Sequence, residues 1–251
     1  SDLCSNGVDT TINIYINPTP VLDVQIADTL FCDTAEVDFE LIDRTGKVLG
    51  DKYYYVETSF SPLLEGIQPT GYYDLSDNHI TDTLYNMDLR YHTVTYTIKP
   101  VIKDPRDEGV EEYCSTGNDT SITVYVNPKP FINVNISDTI WCDSSNVPFD
   151  INSLQAGDNM LIGDLWYDVI PVYNSGEVEG VRSPTEIRVS PDEPFGNFSD
   201  FLTNNSNRYQ VIDYQFIPKI KFNGTDRCSN GFDTLIHIYL NPTPEIEMTI
   251  D

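Results

Sequence analysis

Three observations predict an all-β chain of tandem antiparallel β-sandwiches. A block that begins with cysteine and ends in Asn-Pro-x-Pro occurs three times, at residues 4–20, 114–130 and 228–244. Its cysteines, Cys4, Cys114 and Cys228, stand 110 and 114 residues apart, and a fixed period of this length indicates a repeat architecture. Short alternating runs separated by Gly, Pro, Asn and Asp are typical of strands joined by turns. No segment has the 3.6-residue periodicity of an amphipathic helix.

The repeated block itself predicts the last strand of each unit. In the second copy Ile122, Val124 and Val126 point to one face, while Thr123 and Tyr125 point to the other. This period of two is that of a half-buried strand. The Asn-Pro-x-Pro sequence then ends the strand, because proline cannot donate a ladder hydrogen bond and keeps the backbone extended.

The segments that follow also repeat in order. An alternating first strand precedes an Asp-Thr-x-aromatic-Cys-Asp motif, a second apolar strand, an aromatic strand and a late Tyr-rich strand. The matching pairs are 22–26 with 132–136, 28–33 with 138–143, 37–41 with 147–151, 53–56 with 166–169, and 91–100 with 209–218. About seven strands in about a hundred residues predict an immunoglobulin-like sandwich, large enough for one core.

These boundaries predict four segments. Residues 18–127 and 128–241 are two whole units. Residues 1–17 are expected to be the last strand of a preceding unit, and 242–251 the first strand of a following one. Neighbouring repeats are therefore the first expected partners.

The net charge of −26 restricts the other partners. Such a chain repels phosphate backbones and anionic lipid, so neither nucleic acid nor direct membrane insertion is expected. No apolar stretch approaches the roughly 20 residues of a spanning helix. No cofactor is expected, with one alternative: calcium, which binds carboxylate oxygens, at the unit junctions. Its candidate ligands are Asp9, Asp28, Asp33, Asp119, Asp138, Asp143 and Asp233.

The five cysteines allow two pairings. The favoured pairing joins the early and late cysteines of each unit, Cys32 with Cys114 and Cys142 with Cys228, and leaves Cys4 over. It requires the segment before Cys32 to run back along the sandwich, because the turns after the first strand and before the last strand lie at opposite ends. Otherwise Cys32 reaches Cys228 of the next unit and links the two units together. Without Cys-x-x-Cys pairs, a zinc site is not expected.

Catalytic motifs are absent from the sequence. It contains no Gly-rich phosphate loop, no Gly-x-Ser-x-Gly elbow and no His-Glu-x-x-His, and its three histidines are scattered. Exposed aromatic side chains could stack on sugars, but in a central strand they are more often core. We therefore predict that the protein is not an enzyme.

The repeated Cys-Ser-Asn-Gly-x-Asp-Thr block, with its Ile-x-Ile-Tyr-x-Asn-Pro-Thr-Pro continuation, resembles a known family. It is similar to the PKD-like, immunoglobulin-fold repeats of giant cell-surface adhesins in Bacteroidota, of the gliding-motility type carried by the type IX secretion system. The Trp-Asp-Phe-Gly-Asp-like signature of PKD domains is missing; Tyr53–Tyr55 and 166–168 stand near its place. The resemblance implies an extracellular, cell-surface location. It also implies O-glycosylation at Asp-Thr motifs, with candidate sites Thr10, Thr29, Thr34, Thr83, Thr139 and Thr234.

The function expected from these observations is structural. The chain would be a stalk segment that gives length and stiffness to a surface filament used in adhesion or gliding motility, with secretion machinery, external surfaces or glycans as further partners. The alternative is a glycan- or protein-binding module that uses 57–90 and 170–207 as loops, since these regions differ most between the units.

Overall fold

The computed structural model describes residues 7–8, 10–103, 114–190 and 196–249. These residues form two β-sandwiches without an α-helix, which confirms the predicted fold class. The first sandwich consists of β1 (Leu22–Ile26), β2 (Leu30–Cys32), β3 (Ala35–Asp43), β4 (Asp51–Phe60), β5 (Leu64–Glu65), β6 (Gly71–Asp74), β7 (His79–Asn86), β8 (His92–Lys103) and β9 (Thr120–Asn127). The second consists of β10 (Asn133–Asn135), β11 (Ile140–Cys142), β12 (Ser145–Asn152), a 3-10 helix (Leu154–Ala156), β13 (Asp164–Val172), β14 (Val178–Glu179), β15 (Thr185–Arg188), β16 (Phe198–Asn204), β17 (Gln210–Phe222), β18 (Thr225–Cys228) and β19 (Thr234–Asn241).

Both sandwiches have the same topology. In the first, the sheet β1-β3-β7-β5 packs on the sheet β2-β9-β8-β4-β6. In the second, β10-β12-β16-β14 packs on β11-β19-β17-β13-β15, and β18 pairs with β17. Among the described strands only β2 with β9 and β11 with β19 pair in parallel. This is the two-sheet antiparallel arrangement of immunoglobulin-like domains.

In each unit the Asp-Thr-x-aromatic-Cys-Asp motif after the first predicted strand forms a second, short strand in the opposite sheet. In the first unit the Asp28 carboxylate accepts hydrogen bonds from the backbone N–H groups of Thr29, at 2.7 Å, and Leu30, at 3.0 Å. This turn ends β1 beside β3 and starts β2 beside β9, where Cys32 lies opposite Asn127. This additional strand, together with short strands such as β5, is why the described residues hold more strands per unit than the expected seven.

Alternating apolar residues from both sheets fill each core. Phe39 lies 4.7 Å from Tyr96 between ring centroids, and Phe149 lies at the same distance from Tyr214. The largest side chains that are almost completely buried are Tyr54, Tyr96, Tyr167, Tyr214, Phe39, Phe149 and Phe216. Because such rings bury 150–250 Å² each, the aromatic strands β4 and β13 contribute to the cores through alternate residues.

Each core also contains a buried carboxylate bound to a tyrosine hydroxyl. Tyr96 donates to Asp82 at 2.5 Å, and Tyr214 donates to Asp200 at 2.7 Å. The two sites differ in charge, because the Arg182 guanidinium binds Asp200 at 3.0 Å. Burial raises the pKa of Asp82, and the hydrogen bond from Tyr96 only partly opposes this effect.

The expectation that 57–90 and 170–207 are loops is wrong. In the first region β5, β6 and β7 are strands, and β7 alternates strictly between exposed and buried residues. In the second region β14, β15 and β16 occupy the matching places. Strands as short as β5 carry almost no periodic signal. The longer β7 and β16 each bury two polar residues, Asp82 and Asn86 or Asp200 and Asn204, which interrupt the alternation of apolar residues in the sequence.

The flanking segments contain no strand among their described residues, 7–8, 10–21 and 242–249. Ile14 and Ile16 are each at least 82% exposed, whereas their counterparts Val124 and Val126 are fully buried in β9. A strand needs a hydrogen-bonded neighbour, so the assignment of 1–17 and 242–251 to neighbouring units stays a prediction.

Candidate functional site

The junction between the sandwiches is the part of the described structure in which most of the repeated sequence features meet. Asn127, at the end of β9, is completely buried. Its amide nitrogen donates to the carbonyl oxygen of Ile162 at 3.0 Å, and its amide oxygen accepts from the backbone nitrogen of Ile162 at 2.9 Å. Asn17 binds Leu49 in the same way, at 2.8 and 2.9 Å. In the first two copies, the asparagine before the proline pair thus ties the connector to the following sandwich.

The connector after Asn127 is fixed by a second amide. Gln155 is almost fully buried; its amide oxygen accepts from the backbone nitrogen of Phe131 at 2.7 Å, and its amide nitrogen donates to the carbonyl oxygen of Lys129 at 2.8 Å. A direct backbone bond from Tyr91 to Met160, at 2.7 Å, joins the sandwiches beside it. These satisfied polar groups restrict the extended proline segment.

The glycine of the Cys-Ser-x-Gly motif allows the same close approach in both units. A Cβ atom on Gly117 would lie 2.6 Å from the carbonyl oxygen of Pro20, and one on Gly231 would lie 2.5 Å from that of Pro130. Real Cβ atoms do not approach this closely, so the connector packs against its own unit only where the side chain is absent.

A disulfide between Cys32 and Cys228 closes the junction covalently. The Cα atoms are 5.6 Å apart, within the usual range for such bonds, and the residues are 196 positions apart in sequence. Beside the bond, the Arg227 guanidinium donates to the Asp28 carboxylate at 2.5 Å. The backbone N–H of Leu30 first, and Arg227 with it, lower the pKa of Asp28, although its partial burial opposes them.

The favoured pairing of the cysteines is therefore wrong, and the alternative left open is the one found. Cys32 bonds to Cys228 of the next sandwich, not to Cys114, and Cys142 does not bond to Cys228. The reason is the direction of β2, which runs parallel to β9 and carries Cys32 to the C-terminal end of its sandwich. Cys114 pairs with Ile102 before β9 begins, and the eight-residue β9 alone extends about 25 Å.

The aspartates predicted as calcium ligands act mainly as hydrogen-bond acceptors of the protein itself. Asp33 accepts from the backbone nitrogen of Asn86 at 2.6 Å, and its carbonyl oxygen accepts from the Asn230 amide at 2.9 Å. Asp143 repeats this role with Asn204, at 2.7 Å. The described part of the chain contains no group of three or more His, Cys, Asp or Glu residues suited to a metal ion. Asp9 lies outside that part, and junctional calcium stays a prediction.

The candidate glycosylation sites lie mostly at the surface. Five of the six threonines are exposed, and Thr234 is half-buried. The exposed ones are Thr10, Thr29, Thr34, Thr83 and Thr139. Thr34 also has a φ of 64° and donates to Asp33 at 3.0 Å. Sugar attachment at these positions is sterically open and stays a prediction.

The outward aromatic rings are partly covered by lysines. The Lys103 ammonium lies 3.6 Å from the ring centroid of Tyr72, and the Lys221 ammonium lies 5.1 Å from that of Trp166. Tyr54 and Tyr167, which alternate with such rings, are buried in the cores. This arrangement favours packing over sugar stacking for most of the aromatic residues considered from the sequence.

Sequence reasoning missed the polar partners that hold the junction. Arg227 and Gln155 belong to no repeated motif, and the position matching Arg227 is Tyr113. Asn230 lies in the repeated Cys-Ser-x-Gly block, where the other copies have Asn6 and Thr116, but the block does not reveal its partner Asp33. The repeated asparagine before each proline pair was the signal that could have identified the hydrogen bonds between the connector and the following sandwich.

Comparison with known proteins gives little beyond the fold. No protein-family model and no curated protein sequence matches the chain. Similar solved structures include the Yersinia pseudotuberculosis adhesin InvE (10% identity, TM-score 0.30, 89% of this chain and 58% of that one). The Escherichia coli adhesin FdeC has 12% identity and a TM-score of 0.38, over 89% of this chain and 64% of that one. The D00-D0 domain of intimin has 10% identity and a TM-score of 0.31, over 86% of this chain and 98% of that one.

The chain thus spans less than two thirds of either of the first two structures. With TM-scores below 0.5, these similarities assign neither a family nor a function to it. In the described residues, no helix has the length and apolarity needed to span a bilayer.

Proposed function

We propose that this chain is a structural stalk segment of a secreted cell-surface adhesin, in which successive sandwiches supply length and stiffness. The observation that carries the proposal is the Cys32–Cys228 disulfide across the junction. A bond between two domains of one chain supplies no catalytic or ligand-binding group of its own. It does limit how far the two domains can separate or bend.

Three sets of contacts would share the load at the junction. Asn127 and Gln155 hold the connector, and the Arg227–Asp28 ion pair lies beside the disulfide. The disulfide itself joins the two sandwiches independently of the connector. Contacts on different sides of a joint oppose bending in different directions. Partly exposed ion pairs contribute little alone, so the covalent bond is the main restraint in this proposal.

The location and the biological setting are proposed from the sequence resemblance. An extracellular cell-surface position suits a chain with a disulfide, since such bonds persist in oxidising compartments. The similarity of the repeated block to giant Bacteroidota adhesins supports type IX secretion, gliding motility and O-glycosylation of the exposed threonines. In this setting the partners are neighbouring repeats, secretion machinery, and external surfaces or glycans.

Small-angle X-ray scattering tests the stalk directly. The 12-residue β8 indicates that each sandwich is about 40 Å long. Two such sandwiches placed end to end have a radius of gyration of about 24 Å, whereas a single compact globule with the same number of residues has one of about 18 Å. We expect the larger value, and a broader distance distribution for Cys32→Ser. The matched control Cys142→Ser removes a cysteine that is free in this chain and should change nothing. A compact particle would contradict the proposal.

A glycan-binding module is the second candidate, and one groove favours it. In the first sandwich a cavity of about 610 Å³ is lined by Tyr73, Asp74, Asp77 and His79, among others. Aromatic and carboxylate groups together are suited to stacking and hydrogen bonding with sugars. The Tyr73 hydroxyl, however, already donates to the Pro69 carbonyl oxygen at 2.5 Å. Binding of the intact chain to a glycan array, lost in Tyr73→Ala, would favour this function over the stalk.

A further inference from the structure

The surroundings of Cys142 in the second sandwich repeat those of Cys32 in the first. Cys142 ends β11, which runs parallel to β19 and places it opposite Asn241. Cys32 ends β2 opposite Asn127 in the same parallel register. A matching backbone bond of 2.8 Å, from Tyr239 to Thr139 and from Tyr125 to Thr29, holds each segment. Cys142 is therefore presented at the C-terminal end of its sandwich, where it is exposed.

Cys114 likewise repeats the position of Cys228. Cys114 forms a two-way backbone bridge with Ile102, at 3.0 and 3.2 Å. Cys228 lies opposite Ile220, the matching residue of the matching strand. Both cysteines therefore stand at the N-terminal end of a sandwich, and Cys228 is the one that has a preceding sandwich in this chain with which to bond.

The connector beyond the second sandwich also repeats the junction that is present. Residues 241–244 read Asn-Pro-Thr-Pro, where 127–130 read Asn-Pro-Lys-Pro. The Thr243 hydroxyl donates to the Asp143 carboxylate at 2.6 Å. At the matching place in the first junction, the Lys129 ammonium lies 3.6 Å from the Asp33 carboxylate. The exposed thiol of Cys142 thus lies beside a connector already held as at the closed junction.

We propose that the cysteines form a relay of disulfides, in which the early cysteine of every unit bonds to the late cysteine of the next. Cys142 is then the acceptor site for the late cysteine of a following sandwich, and Cys114 for the early cysteine of a preceding one. The occupant in each case is a repeat of the same kind, continuous with the chain. This inference rests on the proposed stalk, and it leaves no cysteine of a long array unpaired except at its ends.

Each bond forms by thiol–disulfide exchange with a small disulfide such as oxidised glutathione. The Cys142 thiolate attacks one sulfur of glutathione disulfide and releases one glutathione thiolate. The thiolate of the following unit then attacks the Cys142 sulfur and releases the second. In total two protein thiols lose two protons and two electrons, and one glutathione disulfide becomes two glutathione molecules.

A three-unit chain tests the relay at Cys142. Residues 1–241 are joined to a second copy of 128–251, so that the new connector keeps the Asn-Pro sequence of the natural junction. After refolding with glutathione, free thiols are alkylated and the unreduced protein is digested for mass spectrometry. We expect Cys142 of the middle unit to be linked to Cys228 of the added unit, and to be alkylated in the two-unit parent.

A second three-unit chain tests Cys114 independently, should the first not fold. It joins residues 1–127 to 18–251, and we expect Cys114 of the inserted unit to be linked to Cys32 of the first. Both chains keep the natural junction at residues 127–128, and a Cys32–Cys228 link there shows that the chain has folded correctly. Alkylation of both copies of Cys142 in the first chain, or of both copies of Cys114 in the second, beside that intact link would overturn the relay, as would a bond between two copies of Cys142. If the new links were absent but scattering showed an elongated particle, the relay alone would be refuted. A compact particle would refute the proposed stalk.

Discussion

Pulling the chain by its two ends should show how the disulfide limits its extension. With the bond intact, tension passes from the N-terminal segment to Cys32, across to Cys228, and on to the C-terminal segment. The pulling force then cannot extend the residues between the cysteines, because they lie in a loop closed by a covalent bond. The two cysteines are 196 residues apart in sequence. At about 3.5 Å per residue, the disulfide therefore prevents about 690 Å of chain from being extended.

The assay is single-molecule force spectroscopy with handles ligated to both termini. Without reductant, residues 1–31 and 229–251 can extend by about 190 Å in total, with no step the size of a sandwich. With reductant, or in Cys32→Ser, each unit of about 110 residues should unfold in a step of about 350 Å. Cys142→Ser should behave like the parent. Steps of 350 Å in the unreduced parent would refute the proposed path of the load.

Three further substitutions test the surrounding structure. Gly231→Ala places a methyl group against the Pro130 carbonyl and should cost about 1–3 kcal/mol in unfolding free energy by thermal or urea denaturation, whereas Gly7→Ala, with nothing within 4 Å, should be neutral. Burial raises the pKa of Asp82 in the folded chain, so the stabilising contribution of this carboxyl group is present below its unfolded pKa and is lost as the pH rises through its folded pKa. Asp82→Asn removes this loss and should therefore stabilise the first sandwich, relative to the parent, increasingly above pH 4. An unchanged pH profile of the melting temperature would refute this account. Asp200→Asn leaves Arg182 without its carboxylate and should instead destabilise the second sandwich by about 2 kcal/mol at pH 7; equal stability of variant and parent would contradict it.

The sequence predicted the elements whose pattern is long and local. The alternation of Ile122, Val124 and Val126 corresponds to β9, and the repeated Asn-Pro-x-Pro corresponds to the connector at 127–130. These features depend on residues close together in the chain, where period and proline chemistry decide the structure.

The cysteine pairing depends instead on strand direction. Whether the chain before Cys32 runs forward or back is decided by the Asp28 turn and by pairing with β9, which is almost a hundred residues later. Equal spacing of the repeats is compatible with either pairing, so counting cysteines could not choose between them. Arg227 and Gln155 were missed for a related reason: each has its partner in another element and no counterpart in the repeat pattern.

Peptide mapping of the unreduced chain shows whether a disulfide joins the two sandwiches. Free thiols are blocked at acidic pH to prevent exchange, the protein is digested without reductant, and linked peptides are identified by mass spectrometry. The account predicts a Cys32–Cys228 link, with Cys114 and Cys142 carrying the blocking group. A Cys32–Cys114 link together with Cys142–Cys228 would place the bonds inside the sandwiches, and the covalent junction would not exist.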